Sequence, residues 1–144
     1  MRTTSQADLA VRLRLAIART ARRLRQEAGA ELSPSQTAAL ATVDRHGPLT
    51  PSELAVRERI QRPTVTRIIA RLEEQGLVQR TRDPLDGRSS LVALAPAGRE
   101  LLARGRTRKD AYLVRRLRDL DADERATLDR AAAILERVLE EAGA

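Results

Sequence analysis

Leu9, Leu13, Ala16, Ile17, Thr20 and Leu24 recur at steps of three and four, which predicts an amphipathic helix from about residue 6 to Gly29. Ser33-Pro34-Ser35-Gln36 then sets a hydroxyl at an N-cap, Pro at the first helical position and Gln at the third, predicting a second helix that ends near His46-Gly47-Pro48. The device repeats at Thr50-Pro51-Ser52-Glu53, where Thr50 caps and Glu53 bonds back to the cap's own N–H. This third helix is short, with Leu54 and Ala55 facing inward, and turns at Arg59-Ile60-Gln61. Pro63 is read as the first residue of a fourth helix, preceded by Arg62 at the cap. Val65, Ile68, Ile69 and Leu72 fall at 0, +3, +4 and +7, one buried stripe that leaves Thr64, Thr66, Arg67 and Arg71 on the other faces. Gln75-Gly76 stops it, with Gly76 in the left-handed cap conformation.

Residues 77–82 and 90–95 read as two short strands around the turn-forming run Asp83-Pro84-Leu85-Asp86-Gly87-Arg88-Ser89, a β-hairpin with a basic tip. Pro96 starts a long fifth helix carrying Leu101, Leu102, Tyr112, Leu113, Leu117 and Leu120. Asp121 to Glu124 caps a sixth with Leu128, Ala131, Ala132, Leu135, Val138 and Leu139. The expected fold class is mainly α with a small β-hairpin wing (α+β). Residues 31–95 are expected to form a winged helix-turn-helix, and residues 1–30 with 96–144 a helical dimerisation region.

The apolar complement is almost wholly aliphatic: one Tyr, no Phe and no Trp among 144 residues. Aromatic stacking platforms and most enzyme pockets are therefore not expected. With no Cys and one His, disulfides, thiol redox sensing and a zinc site built mainly from those residues are excluded, and neither metal nor cofactor is expected. No signal segment opens the chain and no apolar run nears the ~20 residues that span a bilayer, so the expectation is a cytoplasmic protein without a membrane partner, nucleoid-associated when bound to DNA.

The net charge of +7 favours a polyanion, and its distribution sharpens the case. Residues 1–25 hold seven Arg against one Asp and residues 57–90 eight Arg against five acids, whereas residues 119–144 hold eight acids against three Arg. A helix, a tight turn, a second helix with a polar outer face and then a hairpin suit double-stranded DNA. The fourth helix can enter a major groove, where Arg bonds bidentately to guanine, and Arg62, Pro63, Thr64, Thr66, Arg67 and Arg71 are its candidate site. The hairpin tip is narrow enough for a minor groove, with Arg80, Arg82, Asp86 and Arg88 as candidates and Asp86 holding the Arg88 guanidinium in place. Ser33, Thr50 and Ser52, at helix starts, are candidates for DNA-backbone contacts.

The stretch from Arg62 through Gln75-Gly76-Leu77-Val78, followed by Asp83-Pro84-Leu85-Asp86-Gly87-Arg88-Ser89, resembles the MarR family of bacterial transcription regulators over nearly the whole chain. Asp86 and Arg88 match the family's Asp-x-Arg wing, and residues 62–75 its recognition helix. The resemblance implies an obligate homodimer whose first, fifth and sixth helices interlock, and often a ligand pocket between dimer and DNA-binding parts, hence a small-molecule effector. Two positions depart from the family pattern: Arg62 precedes Pro63 where a small hydroxyl residue is usual, and Ala95 precedes Pro96 where Thr is usual.

Simpler readings stand beside these. Arg67 and Arg71 on an arbitrary helix would be solvated face residues, and Arg71, one turn further in, suits phosphate or structure better than a base. Arg80 and Arg82 serve edge-strand solubility as readily as backbone contact. His46, next to Gly47 and near Asp44, has neither nucleophile nor second base beside it, so no enzyme is expected. The Arg104 to Lys109 run is open between a solvated face, a phosphate-contacting flank and an intersubunit salt-bridge row. The leading expectation is a dimeric repressor on a near-palindromic operator; the alternative is an architectural DNA-binding protein of low sequence specificity.

Overall fold

Local capping decides where the chain becomes helical. In the computed structural model, which describes residues 3–29 and 31–142, the Ser5 hydroxyl accepts the Asp8 amide and starts α1, Gln6–Ala28. α2, Pro34–His46, opens on the complete reciprocal box: Gln36 N–H to Ser33 Oγ at 3.2 Å and Ser33 N–H to Gln36 Oε1 at 3.1 Å. α3, Pro51–Glu58, has only half of the expected box. Thr50 Oγ1 accepts the Glu53 amide at 3.1 Å, but the Glu53 carboxylate does not return the bond. α4 runs Arg62–Glu74, one residue earlier than Pro63 implied, so Arg62 is its first residue and Gln61 its cap, without a side-chain capping bond. Pro is equally at home one place further in, because the second amide of a helix also lacks an intrahelical acceptor.

The turn between α3 and α4 is made by Arg59, the one non-glycine residue with positive φ among the described residues, at φ 54° and ψ 43°. That conformation costs an L-residue about 1–2 kcal/mol. Its N–H bonds to carbonyls of Ala55 and Val56, and the half-buried Ile60 next to it packs on the core. Gly76 takes φ 71° after α4, as its position implied.

β1, Val78–Arg82, pairs antiparallel with β2, Ser90–Leu94, from Val78 opposite Leu94 to Arg82 opposite Ser90. Both strands are a residue shorter than the periodicity implied. The hairpin is not isolated: Leu49 and Val92 exchange both backbone bonds, at 3.0 and 2.7 Å, so the segment between α2 and α3 adds a bridge to the free edge of β2. Val92 is fully buried there. α2 packs on α3, α4 and β2, and α4 on β1. The core is Leu40, Val43, Leu49, Leu54, Val65, Ile69, Leu72, Val78 and Val92, joined by Leu102 from α5, Pro96–Arg118. The stripe Val65, Ile68, Ile69, Leu72 is buried as its spacing implied.

Two compact units divide the chain after Lys109, within α5. In the second, α6, Ala122–Ala142, starts on a reciprocal box between Asp121 and Glu124, at 2.8 and 3.0 Å. No helix is long and apolar enough to cross a membrane among the described residues.

Candidate nucleic-acid interface

α4 shows two chemically distinct faces. With its apolar stripe in the core, Arg62, Pro63, Thr66, Arg67 and Arg71 are exposed and Thr64 is half-buried. These residues are not equally free. The Arg62 guanidinium donates to the Ser52 hydroxyl, which brings together a candidate from the fourth helix and one from the start of the third. Thr66 Oγ1 donates to the Arg62 carbonyl one turn back, at 3.0 Å, so its hydroxyl proton is already used. Arg67 and Arg71 make no hydrogen bond or ion pair among the described residues, leaving ten guanidinium N–H donors between them directed by nothing within the protein.

On the hairpin, Arg80 is tied by Nε to Glu73 Oε2 at 3.0 Å, fastening β1 to the last turn of α4. With both side chains well exposed the pair is worth little energetically, yet it engages the group that the sequence left open between solubility and DNA contact. Arg82 and Arg88 are exposed without such a partner among the described residues. Asp86 does not hold the Arg88 guanidinium. Its Oδ1 accepts the Arg88 backbone N–H at 3.0 Å and its Oδ2 the Ser89 hydroxyl at 3.3 Å, while Asp83 Oδ1 accepts the Leu85 N–H at 2.9 Å. A short carboxylate reaches the amide two residues on more readily than the end of a long, hydrated arginine, so it shapes the tip's backbone. The oxygens of Ser33 and Thr50 accept capping bonds, and neither hydroxyl donates a hydrogen bond among the described residues.

Several ties were not legible in sequence. Arg57 Nη1 lies 3.3 Å from His46 Nε2, joining the ends of α2 and α3. The Thr42 hydroxyl donates to the Glu58 carboxylate between the same helices. Arg106 Nη2 pairs with Asp44 Oδ2 at 3.1 Å, and Arg108 Nη1 donates to the Ala28 carbonyl at 3.1 Å, closing the C-terminal end of α1. Two members of the Arg104 to Lys109 run are thus intrachain clamps, 62 and 80 residues from their partners, a separation no local pattern encodes. Beside them lies a cavity of about 110 Å³ walled by Leu32, Ala41, Leu101 and Leu102, with Arg106 and Lys109 among its lining. Among the described residues no group of three or more carboxylates and His is placed to hold a metal ion.

A helix-turn-helix with a hairpin wing defines this class of DNA-binding transcriptional regulator. The family model described as MarR matches residues 32–90, from the start of α2 through the wing. The HTH-type transcriptional regulator ML2140 of Mycobacterium leprae is 41% identical over 138 residues, 95% of this chain and 96% of that protein. A crystallised transcriptional regulator protein of Pseudomonas aeruginosa superposes with a TM-score of 0.84 at 35% identity, covering 96% and 99% of the two chains. A mutant of Staphylococcus aureus MepR bound to an oligodeoxyribonucleotide shares the fold at a TM-score of 0.70 and 19% identity, over 91% and 97%. The chain belongs to the MarR family, and it is a DNA-binding transcriptional regulator.

Proposed function

We propose that this regulator is a homodimeric repressor that reads a near-palindromic operator with paired α4 helices in major grooves and wings in the flanking minor grooves. The observation that carries the reading is the outer face of α4, where Arg67 is exposed and, among the described residues, unengaged, while Arg62 and Thr66 beside it are already bonded. Arg67 is assigned to a base edge, Arg71 to phosphate, and Arg82 and Arg88 to the wing's groove and backbone contacts. That a MepR mutant of the same fold binds an oligodeoxyribonucleotide supports DNA as the ligand.

Dimerisation follows from apolar surface with nowhere to go in one chain. α1 buries no residue and leaves Leu9, Val11, Leu13, Leu15 and Ile17 exposed by 40–49%. Neighbours two apart lie about 200° round a helix, so this apolar surface spans more than one face, as in helices enclosed on most sides. α6 likewise exposes Leu128, Ile134, Val138 and Leu139. A second copy with the same surfaces is the occupant that satisfies both. Half-sites are then about one helical turn of DNA apart. The cavity walled by Leu32, Ala41, Leu101 and Leu102 is assigned to a small, largely apolar effector, whose binding releases the operator.

Selecting bound fragments from genomic DNA yields the operator, after which salt-dependent titrations on operator and scrambled duplex test the assignment. Arg67→Ala is expected to cost about 1–3 kcal/mol on the operator and to relax preference at one base pair per half-site, with much less effect on scrambled DNA. Arg88→Ala is expected to weaken both duplexes and lower the salt slope by about one per wing. Equal loss on both duplexes for Arg67→Ala, or failure to select any common sequence, would favour an architectural binder instead.

A further inference from the structure

The wing tip carries a feature that DNA-contacting arginines do not explain. Leu85 is 97% exposed, more than any other large hydrophobic residue described in the chain. It stands on a tip held by internal bonds: its own N–H to Asp83, the Arg88 N–H and Ser89 hydroxyl to Asp86, and the Asp83 and Ser89 amides to backbone carbonyls of Ser89 and Asp86. The tip is therefore shaped without help from Leu85, whose side chain buries nothing in its own subunit. Arg82 and Arg88 flank it in sequence, both exposed and without a partner among the described residues, whereas the nearer Asp83 and Asp86 carboxylates are turned onto the tip's own amides, so the groups left to meet a partner are cationic and suit a phosphate-lined surface.

We infer that Leu85 is a shape-reading residue of the wing, its isobutyl group packing against the deoxyribose wall of the minor groove between the phosphates met by Arg82 and Arg88. The inference rests on the wing-in-groove reading above and adds to it a contact that carries no charge. Sugar C–H surface is the apolar part of a minor groove, and a groove about 6 Å wide admits one aliphatic side chain with wall contact on both sides. Apolar side chains set into minor grooves are a recurring means of holding DNA shape. Because the contact is apolar, its loss changes affinity without changing how many counterions are released.

The experiment is titration of wild type, Leu85→Ser, Leu85→Met and Arg88→Ala on the selected operator at several salt concentrations, with thermal melting of each protein. Leu85→Ser is expected to melt as wild type and bind about three- to tenfold more weakly per wing, at an unchanged salt slope, if roughly half of the side chain is buried on DNA. Leu85→Met, which keeps the apolar volume, is expected to bind within about twofold of wild type. Wild-type binding by Leu85→Ser overturns the inference, as does a lowered salt slope, which would mean that the wing had moved and taken Arg88 with it. If Arg88→Ala binds as wild type, the wing reading itself has failed. If Arg88→Ala weakens binding and Leu85→Ser does not, only the Leu85 contact has failed.

Discussion

Gly98→Ala sets helix propensity against packing at one atom. Gly98 is the third residue of α5 and is buried where the helix start crosses the end of the hairpin. A Cβ there would lie 2.2 Å from the Leu77 carbonyl oxygen, 3.0 Å from Leu94 Cδ1 and 3.1 Å from the Leu77 carbonyl carbon. Propensity alone favours Ala by at most about 1 kcal/mol. Against it, forcing a methyl into a filled site costs about 1–3 kcal/mol, and the obstacle is backbone, which cannot swing aside as a side chain does. The displaced oxygen also accepts the Ala95 amide at 3.0 Å, a bond worth about 0.5–1.5 kcal/mol net. Sterics win, and Gly98→Ala is expected to be destabilised by about 1–3 kcal/mol. Urea denaturation at fixed protomer concentration measures this, because the stability of the proposed dimer would depend on concentration. A variant as stable as wild type, or more so, would refute the close approach of α5 to Leu77.

Two further outcomes follow from the wing and the apolar helices. Asp86→Ala is expected to weaken operator binding a few-fold at an unchanged salt slope, because the tip loses the acceptor that orders the Arg88 backbone. Asp86→Asn keeps an oxygen for that amide and should bind at least as well as wild type; equal weakening by both variants would show that the carboxylate's charge matters instead. Sedimentation should find a dimer, and deletion of residues 122–144 should leave a monomeric or unfolded chain. A truncated protein that remains dimeric and binds DNA normally would remove α6 from the interface.

Much of what rests on neighbours within a turn of one another was legible in the sequence, although Glu53 leaves the box at Thr50 half made and Asp86 takes the Arg88 amide instead of its guanidinium. Ser33 with Gln36 and Asp121 with Glu124 announce helix starts because a cap bonds an amide three residues on. Val65, Ile68, Ile69 and Leu72 declare a buried face because a helix repeats every 3.6 residues. Gly76 marks the end of α4 because its backbone can take positive φ. The exposed face of α4 follows from the same periodicity.

Tertiary structure decided which of these side chains are free. Arg62, Arg67, Arg80 and Arg106 are one residue type in one sequence, and nothing local separates them. Folding brings Ser52 to Arg62, Glu73 to Arg80 and Asp44 to Arg106, and among the described residues brings no hydrogen-bond or ion-pair partner to Arg67. The pairing of Leu49 with Val92 across 43 residues, the clamp of Arg108 on α1 and the close contact that requires glycine at position 98 have the same origin. Each depends on where two distant backbones meet, and that position is set by packing the whole core, whereas periodicity and capping report only on a single turn.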